Sequence, residues 1–107
     1  MIKNIYALFD KQTSTYQNPL HFLNHGDAIR WLTTITNPNP NQEQSVVSRY
    51  PEQFILFHTA SYDDATGQFE NVGKEVIHAS EVKEHVQEYT LKQIYEKFIE
   101  FKNQEEN

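Results

Sequence analysis

From Ile2 to Phe9 the chain alternates imperfectly between apolar and polar positions and is rich in β-branched and aromatic residues. It then runs into Asp10-Lys11-Gln12-Thr13-Ser14, a pattern that predicts a strand followed by a turn. Thr15 to Phe22 predicts a second extended segment pairing with the first as a hairpin. Asn18-Pro19 marks an edge position or a bend there, because proline cannot donate a ladder hydrogen bond. Asn24 predicts an N-cap, and Asp27 puts negative charge in the first helical turn, where the free amides and the helix dipole favour it. Ala28, Trp31, Leu32 and Ile35 recur at helical spacing, so a helix from Gly26 to Thr36 buries that face and turns Arg30 outward. The breaker-rich run Asn37 to Gln42 ends it in an exposed loop.

Arg49-Tyr50 precedes Pro51 and is expected in an extended, exposed stretch. In Gln53 to Tyr62 the positions Phe54, Leu56, His58, Ala60 and Tyr62 fall on one face, and Ile55, Phe57, Thr59 and Ser61 on the other. Apolar residues on both faces predict a central strand. Asp63 to Gly67 predicts a hairpin loop with the glycine at positive φ, Gln68 to Val72 the antiparallel return, and Val76 to Ala79 a further short strand. Ser80 is a candidate N-cap for a helix carrying Val82, Val86 and Tyr89. Thr90-Leu91-Lys92-Gln93 has a capping-box pattern that starts another helix, striped by Leu91, Ile94, Tyr95, Phe98 and Phe101. The fold class is α+β: a small antiparallel sheet of two hairpins with one helix between them, plus C-terminal helices. Residues 1–80 form the core, and residues 81–107 are a helical extension of the same domain.

At 107 residues the chain has the size of one domain. The absence of cysteine excludes a disulfide framework, a zinc ribbon and a thiol nucleophile, and fits a reducing cytoplasm. No window offers a secretory leader or a membrane span. Net charge is −6, which argues against a nucleic-acid partner until its distribution is read. Up to Tyr62, the acids Asp10, Asp27, Glu43 and Glu52 are balanced by Lys3, Lys11, Arg30 and Arg49, so the acidic excess lies wholly after Tyr62.

Candidate chemistry narrows the picture further. His21 and His25 are spaced i,i+4 but span a strand end and a helix cap, so their rings do not share one helical face. His58, His78 and His85 read as ordinary surface or core-edge histidines, and no metal or other cofactor is expected. Asp63 and Asp64 before Thr66-Gly67 are hairpin-loop chemistry rather than paired catalytic acids. Three glycines supply no phosphate loop, and no nucleophile sits in an elbow, so an enzyme is not expected. What remains is a set of aromatics interleaved with the few bases: Lys3, Tyr6, Lys11, Tyr16, Arg30, Trp31, Arg49 and Tyr50. Single-stranded nucleic acid is bound by such mixtures, rings stacking on bases and cations following phosphates. For Tyr6 and Trp31, core packing is the leading reading, and for the four bases a solvated surface, unless family information says otherwise.

Ala7-Leu8-Phe9-Asp10-Lys11, Tyr16, Pro19, Asn24-x-Gly26-x-Ala28-Ile29-Arg30, Asn37-Pro38, Pro51-Glu52-Gln53-Phe54-Ile55-Leu56 and Tyr62-Asp63-x-x-Thr66-Gly67 occur in that order over the first eighty residues. This ordered set resembles the small nonstructural protein of gokushovirus-type microviruses, phages with circular single-stranded DNA genomes. The resemblance implies a protein of the bacterial host cytoplasm that binds single-stranded DNA and assists genome replication or the switch to single-strand packaging. Lys3, Lys11, Arg30 and Arg49 are the expected phosphate contacts, and Tyr50 the expected stacking ring. Self-association through Leu91, Ile94, Phe98 and Phe101 would multiply weak contacts; the competing expectation is that this stripe folds back on its own sheet. The alternative function is an adaptor that contacts the replication initiator, the procapsid or a host protein through the acidic C-terminal helices.

Overall fold

The computed structural model describes residues 1–84. Nine residues of β-branched and aromatic character, Ile2–Asp10, make β1, the strand on which the rest assembles. Its partner Phe54–Asp63 is β4, and Gln68–His78, β5, pairs with β4 in turn. On the other side of β1 lie two short strands, β2 (Thr15–Tyr16) and β3 (Leu20–Phe22), giving the order β2-β1-β4-β5 with β3 also on β1. Every pairing is antiparallel. The α+β expectation therefore holds for the core: an antiparallel sheet built of two hairpins, with helices between and after them.

The first hairpin differs from the continuous partner strand expected. Phe9 faces Tyr16 and Tyr6 faces Leu20, so Gln17, Asn18 and Pro19 stand opposite only Ala7 and Leu8. The extra residue lifts out where proline lacks its N–H, which divides the edge into β2 and β3.

Helix α1 spans His25–Thr36, one residue earlier than its sequence signal. Asn24 Oδ1 accepts the Asp27 N–H at 2.8 Å, the cap that the Asn24/Asp27 spacing predicted. Ala28 and Leu32 are fully buried against Tyr6, Leu8, Phe54 and Leu56, while Trp31 and Ile35 flank that cluster. Beyond the Asn/Pro loop, Val46–Arg49 forms one helical turn, α2, followed by a 3₁₀ turn at Pro51–Gln53. The extended stretch expected at Arg49-Tyr50 is thus corrected. The proline restricts only its predecessor, and Tyr50 does leave the helical region, at φ −130° and ψ 56°. Arg49 stays helical because Ser45 Oγ caps the Ser48 N–H at 3.1 Å.

A further correction concerns the faces of β4. Tyr6 pairs with His58 but Ile5 pairs with Ala60, so Thr59 is an extra residue. A bulge of one residue exchanges the faces beyond it. Ala60 and Tyr62 therefore join Ile55 and Phe57, not Phe54 and Leu56. Strand β5 is likewise continuous where two pieces were expected, with register shifts against β4 at Leu56/Phe57 and His58/Ala60. The hairpin loop is as expected, with Gly67 at φ 72° and its N–H on Asp63 O at 2.7 Å. Helix α3, Ala79–Val82, begins before the anticipated Ser80 cap, because Glu81 Oε2 accepts the N–H of His78 at 3.0 Å. The expected helical stripes beyond Glu84 lie outside the described residues.

Helices α1, α2 and α3 share one layer. Lys83 Nζ donates to Thr36 O at 3.1 Å and to Ser48 O at 3.2 Å, while Asn37 Nδ2 donates to Val82 O and Asn37 Oδ1 accepts from Glu84 N–H. The C-terminal carbonyls of α1 and α2 are satisfied in this way, and α3 is fastened to them. Leu8, Leu56 and Phe54 point into that layer. Among the described residues, no helix covers the opposite face of the sheet.

Candidate nucleic-acid interface

The end of β1, the start of β4 and the last turn of α2 meet at one rim of the molecule. The Lys11 N–H donates to Gln53 O at 2.8 Å, and the Gln53 N–H donates to Tyr50 O at 3.0 Å. Two backbone bonds thus bring exposed Lys11 beside exposed Arg49 and Tyr50, which lie far from it in sequence. Tyr50 keeps 49% of its surface accessible, so its ring is free to take a partner. No acidic group is within ion-pair distance of Lys11 or Arg49 among the described residues. This rim therefore presents two cations and one ring, with the acids Asp10 and Glu52 on the same segments but outside ion-pair distance.

The other two expected bases stand elsewhere. Arg30 lies on the outer side of α1, as its helical position required, with an 84% exposed side chain and Nη1 4.0 Å from Asp27 Oδ1. Lys3 is at the opposite end of β1, opposite Tyr62. Eight residues separate Lys3 from Lys11, about 26 Å at the rise of a strand. Lys3 also adjoins Asp64, whose carboxylate accepts a 2.8 Å bond from the Met1 amine. That bond holds Asp64 below the usual carboxylate range and raises the amine.

On the helix-free face three rings gather. Phe9 and Tyr16 have centroids 4.8 Å apart, Tyr16 and Phe57 5.6 Å, and Phe9 and Phe57 6.1 Å. The cluster follows from register: Phe9 faces Tyr16 across one ladder, and Ala7 faces Phe57 across the other. Ala7, short and lying between them, leaves room for the tyrosine to reach Phe57. A second pair, Tyr62 and Phe69 at 4.7 Å, shares this face at the far end because the Thr59 bulge turns Tyr62 onto it. Sequence reading named Tyr16 among the aromatics but missed Phe9 and Phe57. The apolar second face of β4 was the available signal, and only the register shows which rings meet.

On the helix side, a polar knot interrupts the apolar layer. Fully buried Tyr6 places its Oη 2.6 Å from His25 Nδ1, and its ring stacks on His58 with centroids 5.0 Å apart. Burial raises the Tyr6 hydroxyl pKa. Burial lowers that of His58, helped by repulsion from His25 and Lys74. His58 Nε2 is buried and has no hydrogen-bond partner among the described residues. Tyr6 and Trp31 belong to the core and its margin, as their leading reading held. Among the described residues, no group of three or more His, Cys, Asp or Glu side chains is placed to hold a metal ion.

Residues 3–92 match the family model described as Phage ORF5 protein. The chain belongs to this family. No curated protein and no solved structure matches it. Membership makes this a phage protein, and the match runs through the whole described sheet and helix layer. No helix of this phage ORF5 protein, among the described residues, is long and apolar enough to cross a membrane.

Proposed function

We propose that this phage ORF5 protein binds single-stranded DNA without enzymatic chemistry, in the host cytoplasm, and serves a gokushovirus-type phage in genome replication or in the switch to single-strand packaging. One observation carries the reading: Lys11, Arg49 and Tyr50, distant in sequence, converge on one exposed rim where, among the described residues, no carboxylate is within ion-pair distance of either cation. Cations that follow a backbone beside a ring that stacks on a base are the chemistry by which single strands are held with little regard to sequence. Duplex hides the base faces and offers such a ring nothing. Membership of a phage family supports the setting, and the motif resemblance supports the single-stranded genome.

Lys11 and Arg49 are the phosphate contacts in this reading, and Tyr50 the stacking ring. With two cations, affinity is modest and strongly reduced by salt. The seam residues Leu91, Ile94, Phe98 and Phe101, outside the described residues, are proposed to join copies so that several weak rims act on one strand. Titration of labelled single-stranded and duplex oligonucleotides at about 50 and about 200 mM salt tests the reading. Tighter binding of the single strand, weakened by salt, is expected. No binding to single strands at the lower salt overturns it.

A further inference from the structure

We infer that the sheet face opposite the described helices, at Phe9, Tyr16 and Phe57, is a base-stacking platform that holds at least one nucleobase of a bound single strand. The inference rests on the single-strand reading above and assigns the bases a site. The three rings form one continuous cluster with centroids 4.8 to 6.1 Å apart. Tyr16, on the edge strand β2, remains 56% exposed and so offers its ring to a partner. Beside them lies a concavity of about 350 Å³ lined by Tyr16, Phe57, Thr59, Asn71, Val72 and Gly73. That volume is at the small end of ligand sites, which suits a single flat heterocycle. Gly73, at φ 62°, puts no side chain on its rim, and Asn71 offers polar groups to the edge of a base, while the Thr59 hydroxyl, which donates to Ile5 O, can only accept.

Position beside two cations without ion-pair partners among the described residues argues for nucleic acid over an apolar partner here. The platform lies at the Lys11 end of β1: Phe9 is two residues from Lys11, and Lys11 adjoins the Arg49-Tyr50 turn. A strand whose phosphates meet Lys11 and Arg49 can pass round this rim with one base on Tyr50 and others on the platform. Glu75 shares the face beside Phe57 and sets an acid there, its carboxylate against His78 Nε2. The far pair, Tyr62 and Phe69, lies at the other end of the face, away from Lys11 and Arg49. Asp63, Asp64 and Glu70 stand next to it, against Lys3 and the Met1 amine that bonds Asp64, so the balance there is acidic and that pair lies outside the site. Phe69, 70% exposed, is therefore a built-in control.

The test compares the full-length protein on an oligothymidine strand and on an abasic strand of equal length, which keeps the phosphates and removes the bases. The wild type should prefer the thymidine strand. Tyr16→Leu should lower affinity for it by about 5- to 150-fold, the range for one stacked base, and leave the abasic strand and the salt slope unchanged. Phe69→Leu should bind like the wild type. If Tyr16→Leu retains the full preference for bases, or Phe69→Leu loses as much of it, the platform is overturned. Should Tyr16→Leu fail to fold, ultraviolet cross-linking of the wild type to an iodouracil-substituted strand decides. Adducts at Tyr16, Phe9 or Phe57 support the platform. Adducts only elsewhere overturn it, as they would if the face were covered by a second copy or by the chain's own C-terminal stripe. A wild type that binds neither strand defeats the single-strand reading itself. One that binds both strands equally, but is weakened by Arg49→Ala, defeats only the platform.

Discussion

Tyr6 Oη and His25 Nδ1 lie 2.6 Å apart, which ties the centre of β1 to the first residue of α1. His58 stacks on the same tyrosine and has its Nε2 sealed from water. Burial, then His25 and Lys74, depress the pKa of His58, so the unfolded chain binds its proton more readily than the folded one. Stability then rises with pH wherever the unfolded state carries more protons. The contribution is complete above the unfolded value of about 6.5 and is lost as pH falls from there toward the lower folded value. Urea unfolding between pH 7.5 and about 5 should show a falling midpoint in the wild type and a shallower fall in His58→Phe. Equal slopes in the two proteins would remove His58 from the account.

The Asn24 cap is a second local device with a measurable cost. Asn24→Ala frees the Asp27 N–H at the start of α1 and should destabilise the domain by about 1 kcal/mol. A melting temperature lower by about 4 to 8 °C is expected for a domain of this size. An unchanged melting temperature would mean that α1 is held by its packing alone.

Asn37 and Lys83 fasten the helices to one another at the far end of α1. Lys83→Met leaves the carbonyls of Thr36 and Ser48 without their shared donor and should cost about 1 to 3 kcal/mol, the range for a polar group left unsatisfied. Asn37→Ala removes both bonds to the chain at Val82 and Glu84, so amide exchange across α3 should quicken while β1 and β4 stay protected. Uniform acceleration over the whole domain would contradict this local role.

Much of the core was readable from patterning. The Asn24 cap, the Ala28/Leu32 stripe, the Asp63 to Gly67 loop and the two apolar faces of β4 are all local signals. Two features were not legible, for one physical reason: each depends on what lies across a ladder. The Thr59 bulge exchanges faces by adding one residue against Ile5 and Tyr6, and nothing in the alternation of β4 marks it. The meeting of Lys11 with Arg49-Tyr50 rests on two backbone bonds to Gln53, a residue without distinguishing chemistry. Equally, the five candidate contact residues read as one set, whereas Lys3 and Arg30 stand apart from the rim.

That separation yields a prediction for binding. Lys11→Ala and Arg49→Ala should each weaken single-strand binding and flatten the salt slope by about 0.7 per lost contact. Tyr50→Leu should lower affinity at an unchanged slope. Arg30→Ala, on the outer side of α1, should leave both unaltered. A slope change in Arg30→Ala equal to that of Arg49→Ala would move the site to the helix layer.

Amide and side-chain chemical shifts of the isotope-labelled full-length protein, followed by NMR during titration with oligothymidine at about 50 mM salt, test the central claim most directly. The expected perturbations are saturable and concentrate at Lys11, Tyr16, Arg49, Tyr50 and Phe57, leaving Lys3, Arg30 and Phe69 unmoved. Perturbations absent at every DNA concentration, or centred on Arg30 and α1, would contradict the account.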